Sequence, residues 1–462
     1  MTNNYLKALL IGGEPEPRDG WIYLKIAGEP YQRGFQHGYY LASQIKEAIR
    51  VNRFLAKWDT GMEWDFFIEK ANELFPRHID DEFTQELRGI ADGACANRFL
   101  TSFEEILTWN SYQDLLGSWW PMYNGSQPHR LRNAHRCSAF LATGNATKDG
   151  NIVMAHNCWD RYAASDHYNI ILDIYPANGY RLLFQAAPGY IASTIDWWIT
   201  GAKLVVAETT ISDFSGFDNK GEPEFYRSRK ACQYAQSIED WKNRMWKNNN
   251  GGYAGSWLLG DIKTKEIARV EIGLKYLGFE KKDDGYYSGY NVAADLRIRN
   301  QECSGNSYSD IRYNGARRLR FMELLDKEII NGSVDIDKAK EIISDHGDVY
   351  LQKQDNPCSR TICGHLELDD AKYGSHAGQG PYYPWGAGDG KVVDSAMAEN
   401  MSFQARWGHA CGMPFDVKAF LKQHPQYAWL EGYMRDRPTR NWQTFGGGVR
   451  INNTGRVYEE LS

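Results

Sequence analysis

Arg136-Cys137-Ser138-Ala139-Phe140-Leu141-Ala142-Thr143 runs to a turn at Lys148-Asp149-Gly150, and Asn151-Ile152-Val153-Met154-Ala155 leads back to His156-Asn157-Cys158-Trp159-Asp160. Apolar residues on both sides of an Asp-Gly pair predict a β-hairpin. A strand that begins at a cysteine, with a return strand delivering polar groups to it, is the arrangement an N-terminal nucleophile needs. Scission of the Arg136–Cys137 bond would set a free α-amine beside the thiol. An amine titrating near about 7.7–8.0 can take the proton of a thiol near about 8.5. The remaining requirement is an oxyanion hole, worth about 2.7–4 kcal/mol per donor. Taken alone, Cys137 is one of eight cysteines. Free cysteine is commonly a small buried hydrophobe, so the pattern leaves nucleophile and core readings both open.

Outward from the hairpin, the first 136 residues read as mostly helical. Tyr31 to Trp58 is amphipathic, Glu86 to Ala94 forms a second helical stretch, and Ser102 with Glu105 has capping-box spacing ahead of a third. Gly117 to Arg136 lacks periodicity and reads as an exposed linker. Downstream strands are predicted over Ser138–Thr143, Asn151–His156, Tyr168–Ile174, Arg181–Gln185, Lys203–Thr209, Ser256–Asp261 and Ile267–Ile272. Helices are predicted over Tyr226–Met245, Asn314–Ile330 and Asp335–Ser344. Helices, then mainly antiparallel strands, then helices again predict an α+β fold, two sheets between helical layers.

The 462 residues carry a net charge of −6 and no Lys/Arg-rich stripe, which argues against a nucleic-acid partner. Aromatic residues make up 14% of the chain, suiting large apolar surfaces. No run reaches the roughly 18 apolar residues of a membrane span. Leu6 to Ile11 is short for a signal-peptide core, so the expectation is a cytoplasmic protein, or a secreted or periplasmic one if a leader has been removed. The cysteines show no CxxC pair. Cys358 and Cys363 lie close together but without the partner spacing of a zinc motif.

The block from Cys137 to Trp159 resembles the nucleophile region of the phospholipase B-like proteins, a family of N-terminal nucleophile hydrolases related to the penicillin acyltransferase-type cysteine group. Further resemblance follows in order. Ala187-Pro188-Gly189-Tyr190, Asp196-Trp197-Trp198, Glu208-Thr209-Thr210, Arg227-Ser228-Arg229, Tyr290-Asn291-Val292, Asn356-Pro357-Cys358, Asp389 with Lys391-Val392, and Gly408 to Phe415 all match. Arg33-Gly34-Phe35-Gln36-His37-Gly38 and Glu86 to Ala94 are similar to the prosegment of the acyltransferase-type relatives.

The resemblance implies a four-layer αββα fold, a helical prosegment over residues 1–136 and a catalytic chain over 137–462. It implies Arg136–Cys137 as the self-cleaved bond and Cys137 as nucleophile. His156 and Trp159 would shape the nucleophile pocket, the backbone or hydroxyl of Thr210 would face the acyl carbonyl, Asn291 would stabilise the oxyanion, and Arg317 (with Arg318 adjacent) would complete the catalytic set. Thr209 and Asp160 would contact substrate; Asp160 is a feature of the acyltransferase-type relatives rather than of the phospholipase B-like members. His346 and His365 also resemble residues of those relatives and read as structural. The implied activity is hydrolysis of a linear amide or fatty acyl ester through a Cys137 thioester. Acyl transfer to an amine, lipid deacylation of the phospholipase B type, and a non-catalytic binding protein are the alternatives. No metal or organic cofactor is expected. The expected partners are a small acyl-amide or lipid substrate and the chain's own cleaved N-terminal segment.

Overall fold

The computed structural model describes residues 3–125, 136–193, 195–305, 307–372, 380–447, 449–451 and 457–459. Two large sheets form its centre. The nine-stranded sheet runs, edge to edge, Glu16–Arg18, Trp21–Gly28, Ile170–Pro176, Leu182–Ala186, Trp197–Thr200, Leu204–Thr210, Gly255–Asp261, Glu266–Ile272 and Leu277–Lys282. Every pairing in it is antiparallel except Trp21–Gly28 with Ile170–Pro176. The second sheet runs Gly285–Gly289, Arg136–Gly144, Gly150–Arg161, Asp389–Asp394, Ser402–Trp407 and Gln443–Gly446, with Trp385–Ala387 beside the end of Gly150–Arg161.

The sheets pack face to face, with Ile152 against Gly260 and Val205 across the interface. Helices close both outer faces. Trp241 of the Ile238–Trp246 helix lies 5.1 Å from Trp257 of the nine-stranded sheet, and Phe321 of the Asn314–Asn331 helix lies 6.3 Å from Phe140 of the other. The result is the expected αββα sandwich. No described helix is long and apolar enough to cross a membrane.

Several elements differ from the sequence reading, each for a local reason. The N-terminal segment contributes strands as well as helices: Trp21-Ile22-Tyr23-Leu24-Lys25-Ile26 is rich in aromatic and β-branched residues and pairs into the sheet. The expected linker is helical where it is described. Gln113–Trp119 is a π-helix running into Trp120–Tyr123, anchored by buried Trp119 and Trp120; residues 126–135 lie outside the described residues. The expected helix Tyr226–Met245 is two, Glu224–Tyr234 and Ile238–Trp246, because Ser237 turns extended and caps the second through the Asp240 N–H. Only half of the capping box forms. Ser102 accepts from the Glu105 N–H, while the Glu105 carboxylate takes the Thr101 hydroxyl at 2.7 Å.

The helices Pro30–Tyr40 and Asp81–Ala96 touch backbone to backbone through glycines. A Cβ on Gly34 would lie 2.0 Å from Glu86 O, and one on Gly38 would lie 1.9 Å from Ile90 O. The close approach lets buried Arg33 and Arg229 share Glu86 at 2.7 and 2.9 Å.

Candidate active site

The expected hairpin forms, with Cys137 opposite Cys158 and Arg136 opposite Trp159 and an irregularity between Ala142 and Gly144. Pleating sends alternate side chains to opposite faces. Ser138, Phe140 and Trp159 point to the helical layer, as their contacts with Arg317 and Phe321 show. Cys137, Cys158 and His156 therefore point between the sheets. Cys137 is 1% exposed. Burial pushes its thiol above the ordinary range, partly offset by a hydrogen bond with Cys158.

The Cys137 peptide is gripped on both sides. Its N–H donates to Asn291 Oδ1 at 3.0 Å, and its carbonyl accepts from Arg317 Nη1 at 2.6 Å. Arg317 Nη2 also donates to Asn291 Oδ1 at 2.8 Å, while Asn291 Nδ2 donates to Thr210 O at 2.9 Å. Two donors meet Oδ1 and one acceptor meets Nδ2, which fixes the amide's orientation. Asn291 follows the Gly285–Gly289 strand with φ 64°, a left-handed conformation that asparagine tolerates better than most residues. Its amide oxygen thus holds the Cys137 nitrogen and its amide nitrogen holds the Thr210 carbonyl.

Arg317, fully buried, is the arginine that reaches Cys137; Arg318 instead bonds Tyr308 O at 3.1 Å. Trp159 lies under Arg317, the guanidinium 4.3 Å from the ring centre, and its indole N–H donates to Asn157 Oδ1 at 2.8 Å. It backs the arginine from the face opposite the thiol, so it reaches Cys137 only through Arg317.

Thr209 and Thr210 send their side chains to different places, while the Thr210 carbonyl stays in the Asn291 network. Thr209 points between the sheets against Gly289, where an added Cβ would meet its side chain at 2.6 Å. The side chain of Thr210 turns away from that face and donates its hydroxyl to Tyr253 OH at 2.9 Å. Thr210 borders a cleft of about 70 Å³ together with Tyr253, and Met122, Ile211 and Phe214 line its apolar side.

His156 is fully buried, and its Nε2–H donates to Glu208 O at 3.0 Å; burial and the nearby Lys391 charge hold it well below the ordinary histidine value, so it is neutral. Asp160 accepts from Tyr168 OH at 2.8 Å and from the Arg161 N–H at 2.7 Å, an internal contact set rather than a solvent-facing one.

A pair of carboxyls close by was not read as functional. The Glu208 N–H donates to Asp196 O at 3.1 Å, bringing the two side chains together. Burial pushes both acids up, and the Asp196 charge pushes Glu208 further. Their spacing in sequence gives no motif; Asp196 at φ 54° is the backbone irregularity that marks them. A separate group of potential metal ligands, His346, Cys363, His365 and Cys411, gathers on the helical side of the second sheet.

Residues 36–275 match the family model described as Phospholipase B. A protein of Archaeoglobus fulgidus is 23% identical over 349 residues, covering 70% of this chain and 58% of its own length. Phospholipase-B 81 of Drysdalia coronoides is 28% identical over 440 residues, covering 81% of this chain and 75% of its own. Among solved structures, a variant of the conjugated bile acid hydrolase from Clostridium perfringens covers 70% of this chain and 100% of its own at 12% identity, with a TM-score of 0.32.

Proposed function

The chain belongs to the phospholipase B family, and on that footing we propose that it is a self-processing hydrolase whose nucleophile is Cys137. The family supports a hydrolase of carboxylic ester or amide bonds. The cysteine reading rests on one observation: the peptide at Cys137 is held at its N–H by Asn291 and at its carbonyl by Arg317, at the head of a strand whose thiol points between the sheets.

In this reading Cys137 Sγ attacks the Arg136 carbonyl carbon. The C–N bond breaks as the thioester forms, and the nitrogen leaves as the Cys137 α-amine. Water then cleaves the thioester, giving the Arg136 carboxylate and a free thiol. The Asn291 carbonyl that held the amide N–H now holds the amine. An amine titrating at about 7.7–8.0 supplies a base beside the thiol that burial raises, while His156 is engaged with Glu208 O. Arg317 fixes the nucleophile's own carbonyl, and Trp159 keeps Arg317 in place. The substrate's acyl end enters the cleft at Thr210 and Tyr253, where Met122, Ile211 and Phe214 suit a fatty acyl segment. Thr209 lies on the thiol's side and contacts the acyl group. The relative named a phospholipase B favours an acyl ester substrate; a linear amide uses the same steps with an amine leaving group. Residues 1–136 stay bound after the cut, through the Trp21–Gly28 strand.

Intact-mass measurement tests the proposal. Wild-type protein is expected as two pieces, one ending at Arg136 and one beginning at Cys137, and Cys137→Ala as a single chain. A Cys137→Ala chain still cut there defeats self-processing, and an uncut wild-type chain whose Cys137 resists thiol reagents favours a binding protein. Products formed with an added amine separate transfer from hydrolysis.

A further inference from the structure

We propose that His346, Cys363, His365 and Cys411 form a closed tetrahedral site for a zinc ion that is structural and stands apart from the Cys137 chemistry. One potential ligand atom from each of the four lies within 4.8 Å of all the others. Cys363 Sγ and Cys411 Sγ are each 3.5 Å from His365 Nε2. With zinc–sulfur bonds of about 2.3 Å and zinc–nitrogen bonds of about 2.0–2.1 Å, the S···N edge of a tetrahedron is about 3.5 Å.

The histidines are oriented as ligands. His365 Nδ1 meets Glu367 Oε1 at 2.9 Å and His346 Nδ1 meets Asp355 Oδ1 at 3.2 Å, so both rings present Nε2 to the cluster. A carboxylate behind a ligating imidazole fixes its tautomer and raises its basicity. His346 Nε2 is buried with Cys411, the sulfur that would share the ion with it, as its polar neighbour. Glu367 also lies 3.8 Å from His409, but His409 Nε2 is taken by Tyr162 OH at 2.8 Å, which leaves the two-sulfur, two-nitrogen set as the complete one. Cys358 is outside it, with its sulfur 3.7 Å from Asp348.

Binding releases one proton from each thiol, and two thiolates neutralise the dication. Four protein ligands leave no open position, which marks a structural rather than catalytic ion. The ligands come from three separate loops, one of which supports the active site. Gly364, between two ligands, lies under the Trp159 ring, and an added Cβ there would be 2.4 Å from it. Asn157 Nδ2 donates to Ile362 O at 3.1 Å and to Ile343 O at 2.9 Å. The ion would hold the loop on which Trp159, and through it Arg317, rests.

The test is metal analysis and X-ray absorption on the full chain purified without chelator. Expected are about one zinc per chain and a shell of two sulfurs and two nitrogens at the distances above. Cobalt exchanged for zinc should show a thiolate charge-transfer band and tetrahedral d–d bands. Cys411→Ser should lower zinc at least about tenfold, whereas Cys358→Ser and Cys137→Ala should keep it. Should Cys411→Ser fail to fold, absorption on the wild-type chain decides alone. A folded chain that takes up neither zinc nor cobalt overturns the site. So does a Cys363–Cys411 disulfide found by mass under non-reducing conditions, or a metal shell of oxygens. Loss of metal with normal scission at Cys137, or the reverse, keeps the two proposals distinguishable.

Discussion

Arg317→Lys tests whether one guanidinium holds the Cys137 peptide. Nη1 donates to Cys137 O and Ser138 Oγ at 2.6 and 3.1 Å, and Nη2 donates to Tyr290 O, Asn291 Oδ1 and Asn314 Oδ1 at 3.2, 2.8 and 2.7 Å. Lysine keeps the charge but presents its donors from a single nitrogen, so it reaches one of these sets and abandons the other. The smaller set contains two bonds, and hydrogen bonds to a charged group contribute about 1.5–3 kcal/mol each, so the expected loss is about 3–6 kcal/mol. Against a typical net stability of about 5–15 kcal/mol this is a large share, so circular dichroism establishes that the variant is folded before scission is timed. If half of the smaller loss falls on the reacting peptide, scission slows at least about tenfold, at about 1.4 kcal/mol per decade. Urea unfolding reads the first quantity, and an intact-mass time course on freshly made chain reads the second. A lysine variant within about 0.5 kcal/mol of wild type, the range of an ordinary surface substitution, and cut at the wild-type rate would refute the role given to Arg317.

Gly38→Ala should destabilise by about 1–3 kcal/mol or more, because its Cβ meets Ile90 O at 1.9 Å. Gly117→Ala, with open space around it, should be near neutral; equal melting temperatures for the two variants would contradict the helix contact. His37 Nε2 accepts from the Gly189 N–H at 2.9 Å, and burial lowers the ring to about 3. Between about pH 6.5 and 3 the unfolded chain binds a proton the folded chain refuses. This contribution is complete above that window and is lost as pH falls, by about 1.4 kcal/mol per unit. Unfolding free energies at pH 7 and 5 should differ less in His37→Gln than in wild type; equal slopes sink the assignment. Cys158→Ala removes a hydrogen bond that lowers the Cys137 thiol, so the pH profile of Cys137 alkylation, read by mass, should move upward. A downward move would show that Cys158 does not assist the thiol.

The hairpin at Cys137 was legible because its apolar period and Asp-Gly turn are local, and so were the strands Leu204–Thr210 and Gly255–Asp261. Strands with mixed composition were not. Leu277–Lys282 carries Glu280, Lys281 and Lys282 on an edge where only one side is paired, and Asp389–Asp394 owes its place to buried partners such as Gln185, which accepts from Lys391. Within the site, Asn291 and Arg317 meet the Cys137 peptide, at its N–H and its carbonyl. The pleat decides what no list of residues can: it turns Trp159 to the far face and separates the side chains of Thr209 and Thr210. The His346, Cys363, His365 and Cys411 group was invisible because its members come from loops far apart in the chain and form no spacing motif.

The Trp21–Gly28 strand lies in the nine-stranded sheet, paired residue for residue with Ile170–Pro176. Under the proposed scission that pairing passes from one molecule to two. Before the cut, folding is a first-order event independent of concentration. Afterwards the same sheet joins two chains, and reassembly after denaturation becomes second order, with a midpoint that shifts with dilution. A mature protein unfolded at low concentration would lose its partner before finding it again. The cut would then act as a ratchet: it converts a renewable fold into one that each molecule can assemble readily only once.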